Sequence, residues 1–143
     1  MAYFSLLGRR INLFNMKKIF TLACAALFLI TTAFQSASGF DEVVNALRNG
    51  NATELSKYVD NNVELSMPSK TDNYSRQQAA VILQDFFSNN GVKDFEIKHK
   101  GDNGGSQFGI GTLVTRAGSY RTTIVMTEKN GKLLVKGIRF QQM

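Results

Sequence analysis

The run from Val92 to Gln141 constrains this chain most. Apolar and polar residues alternate through four short stretches separated by glycine-bearing breaks, the pattern of antiparallel strands joined by turns. Phe95, Ile97 and His99 fall on one side of the first strand, with Asp94, Glu96, Lys98 and Lys100 on the other. A polar, glycine-rich loop is expected from Gly101 to Gly105. Phe108, Ile110 and Val114 alternate through the second strand, where Gly109 and Gly111 leave the opposite side nearly bare. Ala117-Gly118 turns the chain into a third strand, Tyr120 to Glu128. Asn130-Gly131 is a strong hairpin signal, because both residues accept the positive φ of a type I′ turn. Leu133 to Gln141 makes the fourth strand.

A two-residue turn at Asn130-Gly131 sets Met126 opposite Val135 and Thr127 opposite Leu134. Carried along both strands without interruption, that register puts Ile124, Met126, Leu133 and Val135 on one face. Val125, Leu134, Ile138 and Phe140 then lie on the other. A sheet with one wet face should not be apolar on both. The sheet is either covered on both sides or meets a partner with the second. The remaining alternative is strong twist, with long Lys and Arg stems covering the rest.

Upstream, Phe40, Val43, Val44 and Leu47 recur at helical spacing, and Asn49-Gly50 ends that helix. Asn51-Ala52-Thr53-Glu54 offers a capping-box-like start to a second short helix with Leu55, Tyr58 and Val59 as its stripe. Val63, Leu65 and Met67 alternate as a strand closed by Pro68, the only proline. Residues 69–74 read as polar connection. Ser75-Arg76-Gln77-Gln78 is a capping box, and Ala79, Ile82, Leu83, Phe86 and Phe87 follow as the longest helical stripe, ended by Asn89-Asn90-Gly91. The order α-α-β-α-β-β-β-β, with helices gathered on one face of an antiparallel sheet, specifies a single α+β roll over residues 40–143.

Residues 1–39 read as a leader. Met16-Lys17-Lys18, an uncharged apolar run from Ile19 to Phe34, and Ala37-Ser38-Gly39 make the signal-peptide pattern, with cleavage before Phe40 or, alternatively, after Ser38. Met16 begins a better-formed signal than Met1, so residues 1–15 are set aside as an alternative upstream start. The apolar run is shorter than the about 20 residues a span needs, so no membrane span is expected after cleavage, and the domain is expected in the periplasm or outside the cell. The net charge of +6 is largely the leader's: from Phe40 onward thirteen Lys/Arg face eleven Asp/Glu. Without a clustered basic surface, nucleic acid is not an expected partner. Cys24 is the only cysteine, so the mature domain holds neither thiol nucleophile nor cysteine metal site.

The element order, with Leu55-Ser56-Lys57-Tyr58-Val59-Asp60-Asn61-Asn62-Val63-Glu64 between the second helix and the first strand, resembles the nuclear-transport-factor-2-like superfamily, whose wider fold is called cystatin-like. Within it the chain is most similar to small exported bacterial domains of unknown function. The resemblance implies a curved sheet under helices, and relatives that commonly dimerise through their sheets. Its ketosteroid isomerase branch uses an oxyanion-stabilising tyrosine and a general-base aspartate. Ungapped alignment places Val43 and Met67 there, and neither side chain can do that chemistry.

Three functional classes follow. The first is a non-catalytic binding domain with a pocket between the long helix and the sheet for a small apolar ligand. Phe87, Phe95, Ile97, Phe108 and Tyr120 would line it, with His99 and Arg116 as polar contacts. The second is an enzyme of unrecognised chemistry using Tyr120, His99, Arg116 or Glu128. The third is an envelope interaction module, a homodimer through its sheet being the first form of it. One histidine without cysteine argues against zinc. The Lys100–Gln107 glycines join strands rather than feed a helix N-terminus, so they are not a phosphate cradle, and no cofactor is expected.

Overall fold

Helix α1 (Ser38–Asn49) begins the part of the chain that the computed structural model describes, residues 38–143. The expected leader lies outside the described residues, apart from Ser38 and Gly39, which form the first turn of α1. Phe40, Val43, Val44 and Leu47 are buried as their spacing predicts, and Gly50 takes the left-handed conformation (φ 61°) that ends the helix. Asn51 then caps α2 (Ala52–Ser56), its side chain accepting the Glu54 N–H at 3.1 Å. This helix stops short of its expected stripe: Val59 opens strand β1 (Val59–Ser66) instead.

A short strand β2 (Thr71–Ser75) follows where a connection was expected. It lies at the sheet edge and is mostly exposed, so no apolar alternation marks it. Helix α3 (Arg76–Asn90) carries both bonds of the Ser75–Gln78 capping box and ends on Gly91 at φ 70°. The meander follows as β3 (Val92–Asn103), β4 (Ser106–Thr115), β5 (Gly118–Lys129) and β6 (Lys132–Gln142). The expected loop from Gly101 to Gly105 contracts to Gly104-Gly105, both at positive φ, and the Ala117-Gly118 turn moves back by one residue. Asn130 (φ 53°) and Gly131 (φ 75°) make the expected tight turn.

The six strands form one sheet in the order β2-β1-β6-β5-β4-β3, with β1 and β6 parallel and every other pair antiparallel. The architecture is an α+β roll, as expected, with one strand more than expected. The core lies on the face the helices cover, the inner face.

Two β-bulges correct the expected faces. Met126 pairs with Val135 and Thr127 with Leu134, as the turn dictates. One step further, Val125 pairs with Gly137, so Lys136 is an extra residue on β6. The insertion rotates Ile138 and Phe140 onto the face of Val135, where Ile124 and Thr122 oppose them and both are buried. Of the four residues expected on the second face, Ile138 and Phe140 join the first, and Val125 and Leu134 remain on the outer one. In β3, Ile97 pairs with Gly111 but His99 with Ile110, leaving Lys98 extra. His99 consequently does not share the face of Phe95 and Ile97; it points outward and is exposed.

The bare side of β4 is the packed one. A Cβ on Gly109 would meet the Phe40 ring at 2.6 Å, and one on Gly111 would meet the Phe95 ring at 2.7 Å. Each glycine makes room for an aromatic ring delivered from another element. Lys100 closes over Phe40 from the β3 side, its Nζ 4.2 Å from the ring centre. Phe108, Ile110, Thr112 and Val114 are turned away from the core.

Candidate functional site

The seven residues expected to bind do not converge on one pocket. Phe87, Phe95 and Tyr120 are buried in the core, and Ile97 packs half-buried against it. Under α3 the rings of Phe86, Phe87, Tyr120 and Phe140 fill the space between helix and sheet. Phe86 lies edge-on to Tyr120 at 5.2 Å and 4.7 Å from Phe140, while Phe87 meets Phe140 edge-on at 6.3 Å. The Tyr120 hydroxyl donates to Asn90 Oδ1 at 2.9 Å, and Asn90 Nδ2 donates to the Phe86 carbonyl at 2.8 Å. This satisfies the polar end of a buried phenol and ties the last turn of α3 to β5.

Phe108 and His99 lie on the outer face, opposite the expected pocket. Arg116 sits in the β4–β5 turn, its N–H donating to the Gly91 carbonyl at 2.9 Å and its guanidinium lying where a Cβ on Gly91 would be. It is a link between that turn and the α3 cap. Glu128 is exposed near the opposite end of β5. Tyr120, His99, Arg116 and Glu128 thus occupy the core, the outer face and the two ends of the sheet. They form no catalytic constellation. Val43 is wholly buried, and Met67 is half-buried.

Asp60 is a charged group buried with defined partners, its side chain only 3% exposed. Oδ2 receives Lys136 Nζ at 2.7 Å, Oδ1 receives Lys129 Nζ at 3.4 Å, and the Asn61 N–H donates to Oδ1 at 2.7 Å. The Lys136 hydrogen bond first, then the Asn61 N–H, hold the carboxyl down at about 2, below its ordinary 3.8. The β6 bulge residue is therefore also the main cation on Asp60. Both lysine heads are about half in water, and the triad is read as a pin between β1 and the last hairpin rather than as chemistry.

A cleft of about 490 Å³ opens where the β1–β2 turn meets the end of β6, lined by Met67, Pro68, Lys70, Phe140 and Gln142 among others. Lys70 there is paired with Asp72 at 3.2 Å. Among the described residues no cluster of three or more His, Cys, Asp or Glu gathers as a metal site, and no helix is long and apolar enough to cross a membrane.

The outer face of the sheet is the more organised surface. Strand pairing places Glu64, Gly137, Val125, Phe108 and Gly101 in one row across it. Ser66, Arg139, Thr123, Ile110 and His99 form the next row, then Gln141, Arg121, Thr112 and Glu96. Phe108 and Val125 are direct cross-strand neighbours, each 40% exposed. The Phe108 ring lies over Gly101, which leaves no room for a Cβ there. The result is an apolar centre with charges confined to flanking strands, β4 itself having no charged residue. Ile110 and Val125 were missed because apolar content alone does not say which side of the uninterrupted β4–β5 pair the helices cover. The one readable sign was the pair Gly109 and Gly111, whose bareness meant an occupied side.

Residues 40–141 match the family model described as "Domain of unknown function (DUF4783)". No curated protein matches the chain. Among solved structures it is similar to a DUF4783 family protein from Bacteroides ovatus ATCC 8483, at 32% identity and TM-score 0.70, over 71% of this chain and 93% of that one. A DUF4783 family protein from Bacteroides fragilis YCH46 is similar at 34% identity and TM-score 0.69, over 71% of this chain and 96% of that one. An NTF2-like protein of unknown function from Cytophaga hutchinsonii ATCC 33406 shares the fold at 10% identity and TM-score 0.55, over 73% of this chain and 87% of that one.

Proposed function

The chain belongs to the DUF4783 family and has a nuclear-transport-factor-2-like fold, and we propose that it is an exported, non-catalytic binding domain working through the outer face of its sheet. The observation that carries this reading is the pairing of Phe108 with Val125 on that face, beside Ile110 and Leu134, while the inner face is occupied by the protein's own rings. Half-exposed aromatic and β-branched side chains, massed on strands and ringed by charge, are the composition of a protein-binding patch. A second copy of the chain is the first partner to test, since a sheet face can oppose itself around a two-fold axis.

Sedimentation of residues 40–143 at tens of micromolar is expected to give a dimer that Phe108→Asp converts to monomer. A wild-type monomer at that concentration overturns the homodimer. Export is supported by the basic-apolar-small pattern of residues 16–39 and is tested by mass spectrometry of the protein in the producing cell. A mature chain beginning at Phe40 or Gly39 is expected; an intact leader on soluble cytoplasmic protein overturns it.

The small-ligand reading has its own support in the cleft beside Met67 and Phe140, whose lining also carries amides, hydroxyls and Lys70. Chemical-shift perturbation with a fragment set, confined to Met67, Lys70 and Gln142, is the expected result; shifts confined to Phe108 and Val125 count for the sheet face instead.

A further inference from the structure

Resting on the reading that the outer face takes a second copy, we infer that the two-fold axis runs along β4, so that Arg121 of each protomer meets Glu96 of the other. The observations are registers. Thr112 on β4 pairs with Arg121 on β5 and with Glu96 on β3, so the three side chains stand in one row on the outer face. Opposite charges thus lie one strand to either side of the same β4 residue. Within one chain they stand two strand spacings apart, about 10 Å, on either side of Thr112, and Glu96 pairs with Lys98 instead of Arg121. Among the described residues Arg121 has neither an ion-pair partner nor a side-chain hydrogen bond, and Glu96 is held only by Lys98 at 3.0 Å, an exposed pair.

A two-fold rotation about β4 leaves height along the strand unchanged and exchanges β5 with β3. It therefore brings the Arg121 of one copy over the Glu96 of the next, twice per dimer. The strand on the axis suits that place. β4 carries no charge and presents Phe108, Ile110, Thr112 and Val114 outward. Each residue on the axis meets its own copy, so a charged one there would meet its like. Stacked sheets sit about 10 Å apart, a gap that arginine and glutamate reaching from opposite sides can close. Because β3 is the edge strand, β3, β4 and β5 are the strands that overlap. Three strands of about ten residues make a face of about 500 Å² per copy, or about 1,000 Å² in all, the size of a weak interface that dissociates readily.

The test is charge exchange, read by native mass spectrometry and sedimentation. Arg121→Glu and Glu96→Arg are both exposed changes, and each alone sets like charges against each other at both contacts. Each is expected to weaken the homodimer roughly tenfold or more. Mixing the two variants restores both contacts, so a heterodimer of near wild-type affinity is expected from two chains that separately stay monomeric. Two outcomes overturn the inference: homodimers of both single variants as tight as wild type, or no heterodimer on mixing. A wild-type dimer broken by Phe108→Asp but untouched by the charge variants refutes the axis and leaves the sheet-face reading standing. A monomeric wild type refutes both.

Discussion

The two faces of the central sheet are built from the same strands and have opposite economies of side chain. On β4 the inner positions are Gln107, Gly109, Gly111, Leu113 and Thr115; the outer ones are Phe108, Ile110, Thr112 and Val114. Counted by side chain alone, the outer face is the more apolar, yet it is the inner face that is buried. The reason is that an inner position is judged by what arrives from elsewhere. Phe40 from α1 and Phe95 from β3 fill the volume above Gly109 and Gly111, and a larger residue at either glycine would exclude them. Nothing in the described chain arrives over Phe108 and Val125. The difference teaches that apolar content on a strand face marks demand for a partner, and that the fold meets that demand on one face only.

The comparison breaks most completely if the Lys136 bulge is removed. Deleting Lys136 shifts the end of β6 by one residue and turns Ile138 and Phe140 outward. Losing two buried side chains at about 1.5–3 kcal/mol each approaches the whole stability of a small domain. Far-UV circular dichroism and urea melts are expected to show a chain that does not fold cooperatively.

Next in size is Gly111→Ala. The new methyl would contact the Glu96 carbonyl oxygen and the Phe95 ring, and overpacking of this kind costs about 1–3 kcal/mol in denaturant melts. The contrasting outer change Thr112→Ala, one residue away, is expected to stay within about 0.5 kcal/mol.

Asp60→Asn tests the pin between β1 and the hairpin. The folded carboxyl titrates at about 2 against an ordinary 3.8. A lowered folded pKa stabilises where the unfolded carboxyl is also ionised, so its contribution is complete above about pH 4 and is lost as pH falls through about 2. With both lysine heads half in water the effect is expected to be on the order of 1–2 kcal/mol at pH 7. The gap between wild type and variant should close as melts are repeated down to pH 2. A gap that persists unchanged at pH 2 would assign the loss to packing instead of charge.

The smallest monomer effect is expected from Val125→Thr on the outer face, within about 0.5 kcal/mol in denaturant melts at a dilution where only monomer is present. The same change should lower dimer affinity in sedimentation. Stability falling while affinity holds would reverse the assignment of the two faces.

Much of the fold is legible in the sequence. Ser75-Arg76-Gln77-Gln78, Gly50, Gly91 and Asn130-Gly131 marked their caps and turn correctly, because each acts within a few residues of itself. β2 was not legible: Thr71–Ser75 is a strand because β1 offers it hydrogen bonds, not because its side chains alternate. The candidate site was largely illegible for a related reason. His99 was placed with Phe95 by a strict two-residue period, which the extra Lys98 invalidates beyond it; Phe108 was placed with them because alternation does not say which side of β4 the rings will fill.

By itself, then, the sequence determined the local instructions of this protein: where helices start and stop, where the meander turns, and the Met126–Val135 register next to its hairpin. Local hydrogen bonds and backbone dihedrals suffice for those. Which face of the sheet is core, where Lys136 and Lys98 bulge, and which apolar residues are left outward were decided only in tertiary structure. They depend on whether Phe40, Phe95 and the rings of α3 can reach a given side of the sheet. That is a question of volume shared between distant segments, and no single segment carries the answer.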